Sequence, residues 1–210
     1  MKGSLIVVAF FVLGLLAGRS GCMPSWATGS GTSFVALCAL LLCVGTGIGL
    51  NHDMKSDIKS LNPRLVFLPV ATIVGSWMGA MVAFLLMKSD VCFFLQHRDL
   101  TDCLAIDSGF AYYSLSSIFI TEYRGAELGT IALLANIIRE MITLLLTPLL
   151  TKWFGPLAPI SAGGATTMDT TLPIITQTIG QRYVALSIYH GFATDFTVPF
   201  IVTLWCTIAA

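Results

Sequence analysis

Charge is what this sequence has least of. Of 210 residues, 11 are Lys or Arg and 11 are Asp or Glu, so charged side chains make up 10% of the chain and cancel to a net charge of zero; a soluble domain carries about 25%. That scarcity excludes a basic field for nucleic acid and any strongly charged tail, so no nucleic-acid partner is expected. Cysteine is present but unpatterned. Cys22, Cys38, Cys43, Cys92, Cys103 and Cys206 fit neither a metal-ligand spacing nor a disulfide framework. Cys38, Cys43 and Cys206 lie in apolar runs, as small hydrophobes do; Cys92 and Cys103 flank a connecting segment and are the pair an oxidising compartment could join. There is no HExxH, no Ser nucleophile elbow and no paired GxGD-type acids, which argues against hydrolytic chemistry. Neither a metal nor a cofactor is expected.

What is abundant is apolar surface: 56% of residues are hydrophobic and the mean hydropathy is +0.86. These values describe an integral membrane protein, expected as one all-α domain over residues 1–210. It reads as a polytopic helical bundle of about seven hydrophobic segments, at residues 4–17, 33–50, 65–87, 104–121, 126–150, 159–177 and 183–210. The first resembles a signal peptide in following Met1-Lys2 and ending at Arg19, but its cleavage site is poorly formed and Arg19-Ser20-Gly21 separates the run from Cys22; it is expected as a retained helix. The connector 51–64 holds Lys55, Lys59 and Arg64, which by the positive-inside rule places it, and the N-terminus, in the cytoplasm. Lys88 and Arg98 then fall outside and weigh against that orientation.

The sixth segment is unlike the others. Residues 159–177 read PISAGGATTMDTTLPIITQ, with a Gly pair, five Thr, a carboxylate and two prolines between apolar flanks. In hydrocarbon every backbone N–H and C=O needs a partner, so irregular backbone survives only where protein or a watery cavity surrounds it. The segment is therefore expected as a broken or re-entrant helix near the bilayer midplane. Gly163 and Gly164 permit unwinding, Thr166 or Thr167 caps the restarting helix, and freed N–H groups face an anion; Asp169 lies within two turns of that end. The competing reading, an extramembrane loop, fits poorly with Leu172-Pro173-Ile174-Ile175 and with the lack of Lys, Glu and Asn. Residues 104–121 form a second irregular segment whose Asp107, Ser108, Gly109, Ser114, Ser116 and Ser117 are too polar for a lipid-facing helix. Its Gly109-Phe110-Ala111 recurs as Gly191-Phe192-Ala193, hinting at a duplicated half.

Residues 126–150 read as the clearest spanning helix, with Arg139-Glu140 near its centre, where charge is costly unless paired or solvated. Asn136, Glu140, Thr143 and Thr147 are spaced to form one polar stripe, expected to line a pathway. Adjacent helix residues diverge by about 100°, so Arg139 should reach an acid on another helix, with Asp169 the candidate. The competing reading makes the pair glue between helices. In the last segment, His190 reads as a buried hydrogen-bonding residue and not as a metal ligand.

Four stretches carry a family likeness: SGFAYYSLSSI from Ser108, LLANIIREMITLLLTPLL from Leu133, GGATTMDTTLPII from Gly163, and YHGF from Tyr189 with Pro199 downstream. With them the chain resembles the lysine exporter LysO family of bacterial inner-membrane transporters. The pattern carries Tyr113, Ser114, Ser116, Arg139, Glu140, Gly164, Thr166, Met168, Asp169, Thr171, Pro173, His190 and Gly191; Asp107 and Asp195 are not part of it. With Asn136, Thr143, Gly163 and Thr167, most of these make up the expected substrate and ion pathway. Single-chain members look longer, with extra N-terminal helices that bring a further intramembrane acid. The resemblance therefore implies a separate small membrane protein supplying them, or a homo-oligomer.

The resemblance implies export of L-lysine, and of toxic lysine analogues, from the cytoplasm across the inner membrane. In that reading the N–H groups of 163–167 take the α-carboxylate while Glu140 and Asp169 take the cationic groups. Alternatively Glu140 carries a coupling proton or cation. A coupled transporter of another small organic solute, an intramembrane hydrolase using Asp169 or His190, and a passive scaffold subunit are the other readings.

Overall fold

The computed structural model describes residues 63–88 and 99–208 continuously, with scattered helical positions between residues 9 and 46. The segments expected at 4–17 and 33–50, the connector 51–62 with its charge asymmetry, Arg98 and Cys92 fall wholly or largely outside the described residues. Within them the chain is all-helical. A 3-10 turn, Pro63–Phe67, leads into α1 (Leu68–Lys88). Then come α2 (Leu100–Asp107), α3 (Tyr113–Arg124), α4 (Ala126–Phe154) and α5 (Ala158–Gly163). A second 3-10 turn, Gly164–Met168, precedes α6 (Leu172–Ile179); a third, Gln181–Tyr183, opens α7 (Val184–Ile208).

Three stretches among the described residues, Pro63–Leu86, Ala126–Phe154 and Gln181–Ile208, are long and apolar enough to cross a membrane. Their surfaces agree. On α7, Phe192, Phe196, Phe200 and Leu204 form an exposed row at i, i+4 spacing, and on α4 Leu134, Ile138, Ile142 and Leu146 do the same, extended by Leu149 at i+3. Rows of this length are a liability in water and suit lipid. Inside, Ala105, Phe110, Ile120, Leu128, Ala132, Val198, Val202 and Cys206 pack where α2, α3, α4 and α7 meet. A smaller cluster of Ile160, Ile174, Ile175 and Leu186 joins the second broken region to α7. Trp77 of α1 closes the bundle, edge-on to Trp205 at 5.4 Å and donating to Ser108 Oγ at 3.0 Å.

The short helices end for local reasons. Asp99 and Asp102 form a capping box at the start of α2, satisfying donors that have no partner within the helix. Pro159 and Pro173 stand in the first turns of α5 and α6, where a missing N–H costs nothing. Gly125 and Gly180 end α3 and α6 with nearly the same backbone, φ 90 and ψ 164 against φ 96 and ψ 162.

That match belongs to a larger one. The order short helix, break, short helix, glycine, long helix occurs twice, as α2–α3–α4 and as α5–α6–α7. At a constant separation of 55 residues, Gly109 pairs with Gly164, Ile120-Thr121 with Ile175-Thr176, Gly125 with Gly180, and Glu140 with Asp195. The duplication is therefore in a different register from the Gly-Phe-Ala echo: Gly109–Ala111 is unwound, whereas Gly191 lies inside the continuous α7.

Candidate functional site

The two breaks meet. In the first, between α2 and α3, Phe110 and Ala111 adopt left-handed backbone with φ 44 and 68, a conformation costly for residues with a Cβ. The side chain of Asn136 holds it there. Asn136 Oδ1 accepts from the Ala111 N–H at 2.8 Å, and its Nδ2 donates to Ile106 O at 3.0 Å and Ala132 O at 2.9 Å. The second break lies against the first, with Ala165 N–H donating to Phe110 O at 2.9 Å. Gly164, at φ 58, has no room for a Cβ, which would collide with the Phe110 carbonyl. Gly191 lets α7 approach the other side, since a Cβ there would sit 2.7 Å from Met168 N.

These bonds overturn two expectations. The Gly164 and Ala165 N–H groups are committed to Ile160 O and Phe110 O, so they do not face an anion. Nor do Thr166 and Thr167 cap the restarting helix. Thr166 Oγ1 donates back to Gly163 O and Thr167 Oγ1 bonds Gly164 O and Ser187 O, while Thr171 holds the N-cap position of α6 without a side-chain cap bond. Thr167 and His190 belong to a buried chain across the bundle. Ser161 Oγ, Thr72 Oγ1, His190 Nε2, His190 Nδ1 and Thr167 Oγ1 follow one another at 3.1, 2.9 and 3.4 Å across the three contacts, tying α1, α5 and α7 to the second break. Gly163 is buried against Thr167, Thr171 and Thr143.

The polar stripe on α4 divides. Thr143 and Thr147 are buried and return their hydroxyls to Arg139 O and Thr143 O of their own helix, and Asn136 is the stitch just described. Only Glu140 reaches a side chain elsewhere, accepting from Thr170 Oγ1 at 2.6 Å. The Thr170 N–H also bonds Asp169 Oδ1, so one residue bridges the two carboxylates. Tyr113 lies within electrostatic reach of both, and Asp195 within reach of Asp169. Among the described residues, no Lys or Arg stands within ion-pair distance of Glu140, Asp169 or Asp195. Ser114 is exposed and Ser116 is buried, donating to Tyr112 O.

Arg139 faces away from Glu140, as the helix angle requires, but its acid is Asp107 and not Asp169. Nη1 stands 3.5 Å from Asp107 Oδ1. Nε donates to Ala162 O at 3.0 Å, Nη2 to Ser76 Oγ at 3.1 Å and to Ser161 O at 3.3 Å, and the guanidinium stacks 5.4 Å from the Phe110 ring centre. A cation on the last carbonyls of α5 compensates the negative end of that helix. Sequence reasoning missed Asp107; the signal available was the polar crowding of its own segment. Arg139 and Asp107 line a cavity of about 620 Å³ between α1, α2 and α4, with Asp102 of α2 also on its lining. Asp102 also pairs with Arg124 at 3.7 Å. Cys103, on the cavity wall, and Cys206 are free thiols.

Among the described residues, helices long and apolar enough to cross a membrane and two interrupted helices in contact are the features of a polytopic helical membrane protein. The sequence model of the family described as Lysine exporter LysO matches residues 8–206, and the chain belongs to that family. It is similar to the lysine exporter LysO of Escherichia coli strain K12, at 32% identity over 203 residues, 96% of this chain and 64% of that protein. It is also similar to a protein of Haemophilus influenzae, provisionally named a lysine exporter, at 29% identity over 176 residues, 84% of this chain and 85% of that one. No solved structure matches. The chain thus spans less than two thirds of the Escherichia coli relative.

Proposed function

We propose that this chain exports L-lysine, and cationic lysine analogues, across the bacterial inner membrane, with the Glu140–Thr170–Asp169 cluster as the cation-binding part of its pathway. The observation that supports the substrate is the family match over nearly the whole chain. The cluster supplies a compatible chemistry. A carboxylate at the middle of a spanning helix is costly unless something cationic reaches it, and here no protein cation does among the described residues. A lysine ammonium, a proton or another coupling cation takes that place. The Thr170 hydroxyl orients Glu140 and links it to Asp169, so binding at one carboxylate changes the field at the other. The two breaks are where the chain can rearrange, since their backbone groups are held by short turn bonds, by one bond between the breaks and by the Asn136 side chain, and not by a continuous α-helical ladder.

The test is transport by the full chain reconstituted in vesicles loaded with labelled L-lysine. Efflux competed by lysine analogues and not by neutral amino acids supports the reading. Efflux of a different solute in preference to lysine would replace it with a coupled transporter of that solute.

A further inference from the structure

We propose that the cavity between α1, α2 and α4 is a binding site for a free amino acid, with Arg139 and Asp107 recognising its α-carboxylate and α-ammonium. The proposal rests on the transporter reading but not on lysine as the substrate. The cavity, at about 620 Å³, is within the ~300–1,000 Å³ range of small-molecule sites. On its lining Arg139 and Asp107 form an adjacent pair of opposite sign, the complement of a zwitterion, while Asp102 is paired with Arg124.

Neither member of the pair is used up by the other. Arg139 is held rigidly on one side by Ala162 O, Ser161 O and Ser76 Oγ, and Nη1 has only the single 3.5 Å contact to Asp107 Oδ1. A guanidinium carries five N–H donors, so Nη1 keeps capacity for a carboxylate oxygen. The other oxygen of Asp107, Oδ2, is buried with no hydrogen-bond partner among the described residues. A buried acceptor left unsatisfied is costly and rare; an ammonium group satisfies it. A zwitterion placed across the pair gives Arg139 a short, charge-assisted partner and, once the partly exposed Asp107 carboxyl rotates to turn Oδ2 toward the cavity, gives Asp107 its missing donor.

The rest of the cavity suits an aliphatic side chain. Ala80, Ala83, Ile131, Ala135 and Ile138 form its walls. Asp102 lies five residues before Asp107 on α2, about 7.5 Å along the axis at the helical rise, a separation of the order of an extended lysine side chain. Its carboxylate is already engaged by Arg124 at 3.7 Å and by the Asp99 N–H, so it makes no separate claim on a second ammonium and the cavity selects the amino-acid head. With the amino-acid head at Arg139 and Asp107, the Glu140–Asp169 cluster on the other side of α4 is left to the coupling cation.

Binding to the purified full chain in lipid nanodiscs tests this, with labelled L-lysine as probe and L-norleucine, L-lysine methyl ester and cadaverine as competitors. A zwitterion site predicts that norleucine competes, and that the ester and the diamine, each lacking the carboxylate, compete at least about tenfold less well. Asp107→Asn weakens binding by a similar factor. Gly79 lines the cavity and a Cβ there meets nothing within 4 Å, so Gly79→Leu fills the space in a folded protein and removes binding. Cadaverine competing as well as lysine, or Gly79→Leu binding lysine normally, overturns the proposal. If a screen of the other L-amino acids finds one that binds in lysine's stead and is lost in Gly79→Leu, the site stands and lysine does not; if none binds, the site falls.

Discussion

Arg139 and Glu140 are neighbours in sequence and serve opposite sides of α4. Arg139 closes on Asp107 at 3.5 Å beside the α1–α2–α4 cavity, while Glu140 accepts from Thr170 at 2.6 Å in the second break. One residue step, about 100° around the helix, thus separates a guanidinium that anchors α5 from a carboxylate that meets no protein cation among the described residues.

The first consequence concerns which acid answers Arg139. A double-mutant cycle on unfolding in detergent should give Arg139 and Asp107 a coupling of about 0.5–3 kcal/mol, and Arg139 with Asp169 one near zero. Arg139→Gln alone should destabilise by about 3 kcal/mol, because it strips the Ser161 and Ala162 carbonyls and leaves Asp107 buried and unpaired.

Asn136 is assigned to holding the first break and not to contacting substrate. Asn136→Ala removes three hydrogen bonds, among them the one made by the Ala111 N–H in the break, and should cost about 1–3 kcal/mol, read as a fall in melting temperature and in membrane yield. A variant of normal stability that has lost only transport would contradict that assignment.

Gly164→Ala should fail at the folding level. Its φ of 58 is strained for Ala, and the added methyl meets the Phe110 carbonyl, so a loss of at least about 1–3 kcal/mol is expected. Gly75→Ala, with open space around it, is the control and should unfold within about 0.5 kcal/mol of the parent chain.

Thr170→Val keeps the shape and removes the bridge between Glu140 and Asp169. If the hydroxyl orients Glu140, lysine flux should fall about tenfold, the equivalent of one charge-assisted hydrogen bond, with unfolding little changed. Thr170→Ser should restore most of it.

The pattern of what could be read in the sequence follows from how far each signal reaches. Composition and long apolar runs identify the helical membrane class because they need no partner. The interruption at Gly163-Gly164 is legible because glycine, proline and threonine crowd into an otherwise apolar stretch, and Ser108-Gly109 marks the first break in the same way. Helical geometry correctly sends Arg139 away from Glu140. It cannot choose between Asp107 and Asp169, which lie in different segments whose relative placement only the fold supplies. The threonines misled for a similar reason, since a Thr beside a glycine pair fits a cap as well as it fits a bond back to Gly163 O. The Gly-Phe-Ala echo and the repeated order of elements give different registers. Three identical residues in a row attract notice, whereas the real correspondence is spread over Gly109, Gly125 and Glu140 and their partners 55 residues on.

The most direct test of the central claim is lysine efflux from a lysine-exporter-deficient bacterial strain expressing this chain, compared with Glu140→Gln at equal membrane abundance. Lysine export in the wild type, reduced about tenfold or more by the loss of one buried charge, is the predicted result. Equal export from the two proteins would contradict the role given to Glu140, and no export from a chain confirmed in the membrane would contradict the assignment of lysine itself.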